Sequence, residues 1–225
     1  MEKVTPLAPD INEYTFKFIQ PERVEYKAGQ FILVKIMDDP VMFRAYSISS
    51  YNEDGRRVSI TVKKMADGFG TNLIFENFKA GNIVELEGPM GRELVVDKNT
   101  PKVLLVAGGI GITPFVPIVR DLLENHSSVE SVKLIYGVNK ENEFIYDDYF
   151  QELAKKHSNF EYLKTVAVPE EGWTGHRGFV TDVMDTLGLD GYKVYMCGPK
   201  PMVNATMKTL KQKGIKEENI FAESA

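Results

Sequence analysis

Two rhythms of apolar and polar positions divide the chain. Up to about residue 98, short runs rich in β-branched and aromatic residues recur at close spacing: 13–18 (EYTFKF), 31–36 (FILVKI), 44–49 (RAYSIS), 58–63 (VSITVK) and 83–87 (IVELE). Turn residues separate them, as in Lys27-Ala28-Gly29-Gln30, Asp38-Asp39-Pro40, Asn52-Glu53-Asp54-Gly55 and Lys79-Ala80-Gly81-Asn82. Many short strands with regular turns predict a small antiparallel β-barrel. One stretch breaks the rhythm: residues 71–78, led in by Gly68-Phe69-Gly70, predict a short helix with the Thr71 hydroxyl at its cap. Beyond residue 98, strand-like and helix-like runs alternate. Strands are expected at 103–106, 132–138, 160–167, 192–196 and 220–223, and helices at 115–123, 147–156, 181–187 and 200–213. Such alternation predicts an α/β, doubly wound parallel sheet of Rossmann-like type. The expected division is therefore 1–98 and 99–225.

The run 103–115, VLLVAGGIGITPF, organises the second part. Four uninterrupted apolar residues, Val103 to Val106, fit a strand buried on both faces. Gly108, Gly109 and Gly111 follow, then Thr113 and Pro114 open a helix. Strand, glycine turn and helix start together make a cradle for a pyrophosphate, because the backbone can approach closely and free N–H groups point at the anion. Pro114 fits the first helical position, where no N–H is missed. The spacing from Gly109 is G-x-G-x-x-P, which departs from the usual dinucleotide fingerprint. The plain alternative is a glycine turn that only packs a helix on a sheet.

Composition narrows the class. The 225 residues are 43% hydrophobic and 26% charged, with a net charge of −5. These are values of a soluble globular protein, and the acidic balance argues against nucleic-acid binding. No run of eighteen apolar residues and no signal-peptide core is present, so a cytoplasmic location without a membrane span is expected. The single cysteine, Cys197, excludes a disulfide, a CxxC zinc site and a four-cysteine iron–sulfur cluster within this sequence. No metal site is expected. His126, His157 and His176 are scattered and read as solvent-exposed.

Several further stretches carry candidate chemistry. Arg44, Ala45, Tyr46 and Ser47 lie on one predicted strand and offer a phosphate fork, a flat ring and a hydroxyl. The bland alternative is a barrel strand with a surface arginine. Val62-Lys63-Lys64 ends the next strand, where lysines also serve simply as edge guards. Gly68-Phe69-Gly70-Thr71-Asn72 is a second glycine turn at a second helix start. Gly108 to Thr113, Tyr136 to Asn139, Cys197-Gly198-Pro199 and Glu223 all fall at carboxyl ends of predicted parallel strands. Ligands of open α/β sheets sit at such ends.

Taken together, RAYS at 44–47, VKK at 62–64, GFGTN at 68–72, AGGIGITP at 107–114, YGVN at 136–139 and CGPKPM at 197–202 resemble the ferredoxin–NADP reductase family, in the family's order. The resemblance implies a Greek-key flavin barrel followed by a pyridine-nucleotide domain, with the flavin between them. It implies that Arg44 holds flavin phosphates, that Tyr46 flanks the isoalloxazine and that Ser47 reaches its N5 region, with Ala45 in the same motif. Thr61, Val62 and Lys63 would line the ribityl or phosphate side. Gly68, Gly70, Thr71 and Asn72 would hold the flavin pyrophosphate. Gly109, Gly111, Thr113 and Pro114, with Tyr136 and Gly137, would hold the nicotinamide dinucleotide. Cys197, Gly198 and Pro199 would border the nicotinamide, with Met202 behind and the acidic Glu223 nearby. Ser47, Cys197 and Glu223 are the candidate catalytic residues.

The implied activity is hydride transfer from NAD(P)H to FAD, with electrons passed to a ferredoxin, flavodoxin or oxygenase component. FAD is preferred over FMN because the cradle at 68–72 gives a second phosphate a seat. Two departures carry expectations. The chain ends Glu223-Ser224-Ala225, where many members place an aromatic shield, so the shield would be missing or supplied by Phe221 or a partner. Val166-Ala167-Val168-Pro169-Glu170-Glu171 replaces the Ser and Arg that bind the extra phosphate of NADPH, so NADH is expected; Arg177 or Lys140 are the cations that could still reach it. The alternatives are an electron-transfer subunit of a larger complex and a non-catalytic nucleotide-binding module.

Overall fold

The computed structural model describes residues 1–224. Its first half holds two three-stranded antiparallel sheets, β1(Lys3–Ala8)-β2(Ile11–Lys17)-β5(Arg57–Lys63) and β4(Val41–Ser47)-β3(Phe31–Asp38)-β6(Leu86–Met90). A bridge between Ile48 and Ile60 links them. The alternation of 31–38 is realised in register: Ile32, Val34 and Ile36 are buried while their neighbours are half-exposed. Ile32, Val34, Ile48, Val58, Ile60 and Val62 meet inside, with α1(Phe69–Asn77) closing one end through Ile74.

Two expectations shift here. The first ten residues, without a clear signal, form β1 by pairing with β2. The strand expected at 83–87 sits at 86–90, because Leu86, Glu87 and Met90 are the residues that pair with β3. Ile83 is left 85% exposed.

The second half is a six-stranded, all-parallel sheet, in the order β10(His176–Arg177)-β9(Phe160–Val166)-β8(Ser131–Val138)-β7(Lys102–Gly108)-β11(Lys193–Gly198)-β12(Ile220–Ser224). Val103 to Ala107 are fully buried, as an uninterrupted apolar run requires. Each such side chain contributes roughly 1.5–3 kcal/mol, so β7 anchors both faces. One face packs under α2(Phe115–Asn125) and α3(Asp147–Lys156), the other under α4(Val180–Asp185) and α5(Lys200–Gln212). The amphipathic reading of 147–156 holds to the residue, with Phe150 and Leu153 buried. The two-residue strand β10 is too short to have left a periodic signal.

The halves share apolar contacts. Ile11, Leu94 and Val96 join the core beneath α2 and α3. Gly29, at φ 91, lets the connecting segment pass: a Cβ there would stand 2.4 Å from the Leu94 carbonyl oxygen. His126 corrects an expectation. It is 7% exposed, with Nε2 3.0 Å from Asp121 Oδ2, because it follows α2 directly and folds back onto that helix.

Candidate functional site

The strand order reverses at β7: β8 lies on one side of it and β11 on the other. The loops that leave β7 and β11 therefore diverge and open a crevice at the carboxyl edge. Register places Ala107, Cys197 and Glu223 side by side in one row there. The next row holds Gly108, Gly137, Gly198 and Ser224.

The glycines of this edge do different jobs. A Cβ on Gly111 would lie 2.3 Å from the Cys197 carbonyl oxygen, and one on Gly198 would lie 3.0 Å from Gly108 N. These glycines let the turn at Gly109–Ile112 touch the turn at 197–199 backbone to backbone. A Cβ on Gly108 would lie 2.3 Å from Met202 Sδ, so Met202 packs against that glycine. Gly109 has φ 53 and open space before it. Of the three, it is the one free to face a ligand. Thr113 and Pro114 are buried at the start of α2, and Pro199 is exposed at the start of α5.

Cys197 is 3% exposed. Burial, with the Glu223 charge adding to it, pushes its thiol up to about 12. It stays a neutral thiol at physiological pH, suited to lining a ring rather than to attacking one. Burial, aided by the charge of Glu93, also raises the carboxyl of Glu223. Glu93 lies in the segment between the lobes and carried no signal in the sequence.

On the barrel side, β4 presents Arg44 and Ala45 to solvent, with Tyr46 and Ser47 half-buried. The phenol of Tyr46 is pushed up to about 12 by burial. Arg44 donates only to the carbonyl oxygen of Phe43, at 2.9 Å. It lies against Gly70: a Cβ there would stand 3.4 Å from both Arg44 Cγ and Nε, and 3.0 Å from Ile36 Cδ1. A guanidinium thus borders a glycine in the first turn of α1. That helix begins at Phe69, earlier than the sequence suggests, and no side chain caps it. Thr71 corrects the expected cap: its hydroxyl donates to the Gly68 carbonyl oxygen and accepts from Met65 N–H. The first N–H groups of α1 are thereby left for an anion. A helix end would contribute about 0.3–1 kcal/mol toward an anion there, and the Arg44 fork could add a stronger, geometry-specific bond. Asn72 N–H bonds Gly68 O and closes the turn. The residues fit a flavin pyrophosphate.

Some expected residues serve structure instead. The Val62 side chain is in the barrel core. The Thr61 hydroxyl is engaged by Ser49 and Tyr146. Lys63 lies 3.7 Å from Asp10. Tyr136 is fully buried, its ring edge-on to Phe144, and its hydroxyl accepts from Ile145 N–H. A Cβ on Gly137 would meet Val180 at 2.7 Å. Phe221 is no shield, because it stacks on Tyr195 with ring centroids 4.7 Å apart; Ala225 lies outside the described residues. β5 lies close to the Gly109–Ile112 turn, so the barrel meets the nucleotide half beside that turn. A cavity of about 1020 Å³ lies between α2 and the 89–98 segment, and none of these motif residues lines it.

At the far end of the crevice, Glu141 accepts from Glu170 N–H and Glu143 from Asn139 N–H. Four carboxylates, Glu141, Glu143, Glu170 and Glu171, thus gather beyond β8 and β9. Lys140 is exposed on the loop after β8, and Arg177 is exposed on β10.

Comparison with known proteins gives two family matches: residues 1–93 match the oxidoreductase FAD-binding domain and residues 105–208 the oxidoreductase NAD-binding domain. The chain is 31% identical over 224 residues to the reductase component of a phenol 2-monooxygenase from Pseudomonas sp. strain CF600, covering 96% of this chain and 62% of that one. It is 29% identical to the electron transfer component of a toluate 1,2-dioxygenase from Pseudomonas putida, covering 99% and 66%. The chain thus spans just under two thirds of these relatives' lengths. A cytochrome P450 reductase from Amycolatopsis superposes with a TM-score of 0.88 at 26% identity, covering 99% of this chain and 67% of that one.

Proposed function

We propose, from the premise that this chain belongs to the ferredoxin reductase-like family of FAD- and NAD-binding oxidoreductases, that it takes a hydride from NADH and delivers electrons to a separate redox protein. The chemistry a bound FAD supplies is acceptance of that hydride and release of the electrons one at a time. The observation that carries the reading is the pair of glycine cradles, Arg44 against Gly70 in the half that matches an FAD-binding domain and Gly109 beside the Cys197 row in the half that matches an NAD-binding domain.

The residues of this chain act by binding and positioning. Arg44 and the first turn of α1 neutralise the flavin phosphates. Ser47 offers a hydroxyl at the ring edge, and Tyr46 a flat, neutral face. Gly109 admits the nucleotide backbone. Cys197 and Gly198 form an uncharged wall against the nicotinamide and exclude water. Glu223, held toward its protonated form, can present a proton at the flavin side of the cleft. The residues 1–98 would serve the flavin and 99–225 the nucleotide.

NADH is favoured by the four carboxylates beyond β8 and β9, which would repel a 2′-phosphate. The acceptor is inferred to be an oxygenase component or a ferredoxin, the kind of partner that the relatives' names describe, with a flavodoxin as the further candidate. No helix among the described residues is long and apolar enough to cross a membrane; a cytoplasmic location is part of the same proposal.

The test is release and identification of the flavin, then anaerobic titration of the protein with each nucleotide. FAD in the supernatant, bleaching near 450 nm (a flavin property), and a kcat/KM at least about tenfold higher for NADH than for NADPH are expected, since losing a charged hydrogen bond costs about 1.5–3 kcal/mol. A tenfold preference for NADPH would overturn the donor assignment. A colourless protein that takes up neither FAD nor FMN would favour a nucleotide-binding module.

A further inference from the structure

The nucleotide lobe grips the barrel wall through a partly buried side chain. Tyr146 precedes α3 with φ 57 and ψ 17, the one non-glycine residue at positive φ among the described residues. A tyrosine adopts this conformation only where its surroundings enforce it. Its carbonyl oxygen accepts from Phe150 N–H, and its neighbour Asp147 is held by Lys164 and Tyr162. The ring crosses to the barrel. Its hydroxyl donates to Glu13 Oε2 at 2.7 Å and lies 2.5 Å from Thr61 Oγ1. Glu13 and Thr61 face each other on β2 and β5. Thr61 Oγ1 is 3.0 Å from Ser49 Oγ, two residues beyond Ser47. Three hydroxyls thus connect the start of α3 to the strand that carries the flavin motif.

Other polar links between the lobes are exposed. Arg120 pairs with Glu53 at 2.9 Å and Asn125 with Tyr51 at 2.5 Å on the outer side of α2. Exposed pairs hold geometry weakly, whereas a buried network that would leave orphaned hydroxyls on breaking holds it firmly. Burial keeps the Tyr146 phenol protonated, so its hydroxyl remains a donor to Glu13 at physiological pH.

We propose that Tyr146 is a positioning residue for hydride transfer: its link to Thr61 and Glu13 fixes the Gly109 turn and Cys197 at one distance from Ser47. This inference rests on the reductase reading above. Transfer between stacked rings is steep in distance, and a displacement near 1 Å can cost about a hundredfold. Nucleotide affinity, set within one lobe, is insensitive to the link.

The test uses the flavin-loaded protein and three single variants, Tyr146→Phe, Thr61→Val from the other lobe, and Tyr149→Phe. Tyr149 is a control, since its hydroxyl donates to Val116 O within the same lobe. Single-turnover reduction by NADH should slow at least about tenfold in Tyr146→Phe and Thr61→Val, with NADH affinity within about twofold. The long-wavelength charge-transfer absorbance of the stacked rings should weaken in both, and the double variant should be no slower than the slower single. Tyr149→Phe should match the parent. Rates within twofold of the parent for both Tyr146→Phe and Thr61→Val, or equal slowing by Tyr149→Phe, would overturn the positioning role. A parent protein that holds flavin yet is bleached by neither nucleotide would overturn the reductase reading itself.

Discussion

A thiol on β11 and a carboxyl on β12 share one row at the sheet edge, and burial raises both. The thiol stays neutral at physiological pH, while the carboxyl holds its proton to a higher pH than an exposed carboxylate does. The neutral thiol would keep its part of the site uncharged where two ring systems would stack. Cys197→Ala should therefore slow flavin reduction about tenfold by loosening that wall, with NADH affinity within a few fold. In parallel, the native thiol should resist iodoacetamide at pH 8, because only the thiolate reacts. Unchanged reduction in Cys197→Ala would remove the residue from the rings. Arg44 is the legible case at this scale: its place on a short predicted strand offered a phosphate fork, and among the described residues its guanidinium meets only the Phe43 carbonyl oxygen. Thr61 shows the opposite. Its position beside Val62-Lys63 pointed to the cofactor, but its hydroxyl is taken by partners 12 and 85 residues away.

Among elements, the glycine turns divide between contact and conformation. Gly111 and Gly198 exist because two turns from distant strands touch through their backbones. Gly109 exists because its φ is positive and a ligand would need the space. Gly111→Ala would force its methyl against the Cys197 carbonyl, an overpacking worth about 1–3 kcal/mol. Gly109→Ala meets no atom and carries only the backbone strain of a left-handed residue, about 1–2 kcal/mol. Gly111→Ala should thus lower Tm by several degrees and broaden the flavin spectrum, while Gly109→Ala should lower Tm less and weaken NADH binding more. Thermal unfolding and nucleotide titration of both variants would check this. Equal effects on both readouts would place the two glycines in one role. The short element β10 and the opening strand β1 were not legible, because each owes its strand character to the neighbour it pairs with.

For the molecule as a whole, the meeting of the lobes sets both function and stability. Glu13 is half-buried at that meeting, and desolvation outweighs the Tyr146 hydrogen bond and Lys3, so its carboxyl holds its proton to a higher pH than an ordinary carboxylate. A group with a raised folded-state value disfavours the folded state as pH climbs past its unfolded value, about 4.3, and the full penalty remains above the folded value. Glu13→Gln keeps an acceptor for Tyr146 and removes the charge. Its Tm should match the parent's below about pH 4 and exceed it by pH 7. A variant less stable than the parent at pH 7 would show that the ionised carboxylate is the better partner.

Periodicity along the chain was enough to determine the two architectures, the places of both glycine cradles and the convergence at the carboxyl edge. Those properties are local: strand and helix periods, turn residues and glycine spacing act over a few neighbours. The pairing of β1, the burial of His126 and Tyr136, the stacking of Phe221 on Tyr195, and the Tyr146 link to Glu13 and Thr61 belong to the tertiary structure alone. Each depends on groups brought together from positions far apart in the chain or on a face chosen by packing, and the free energy of burial is decided by which neighbours exclude water.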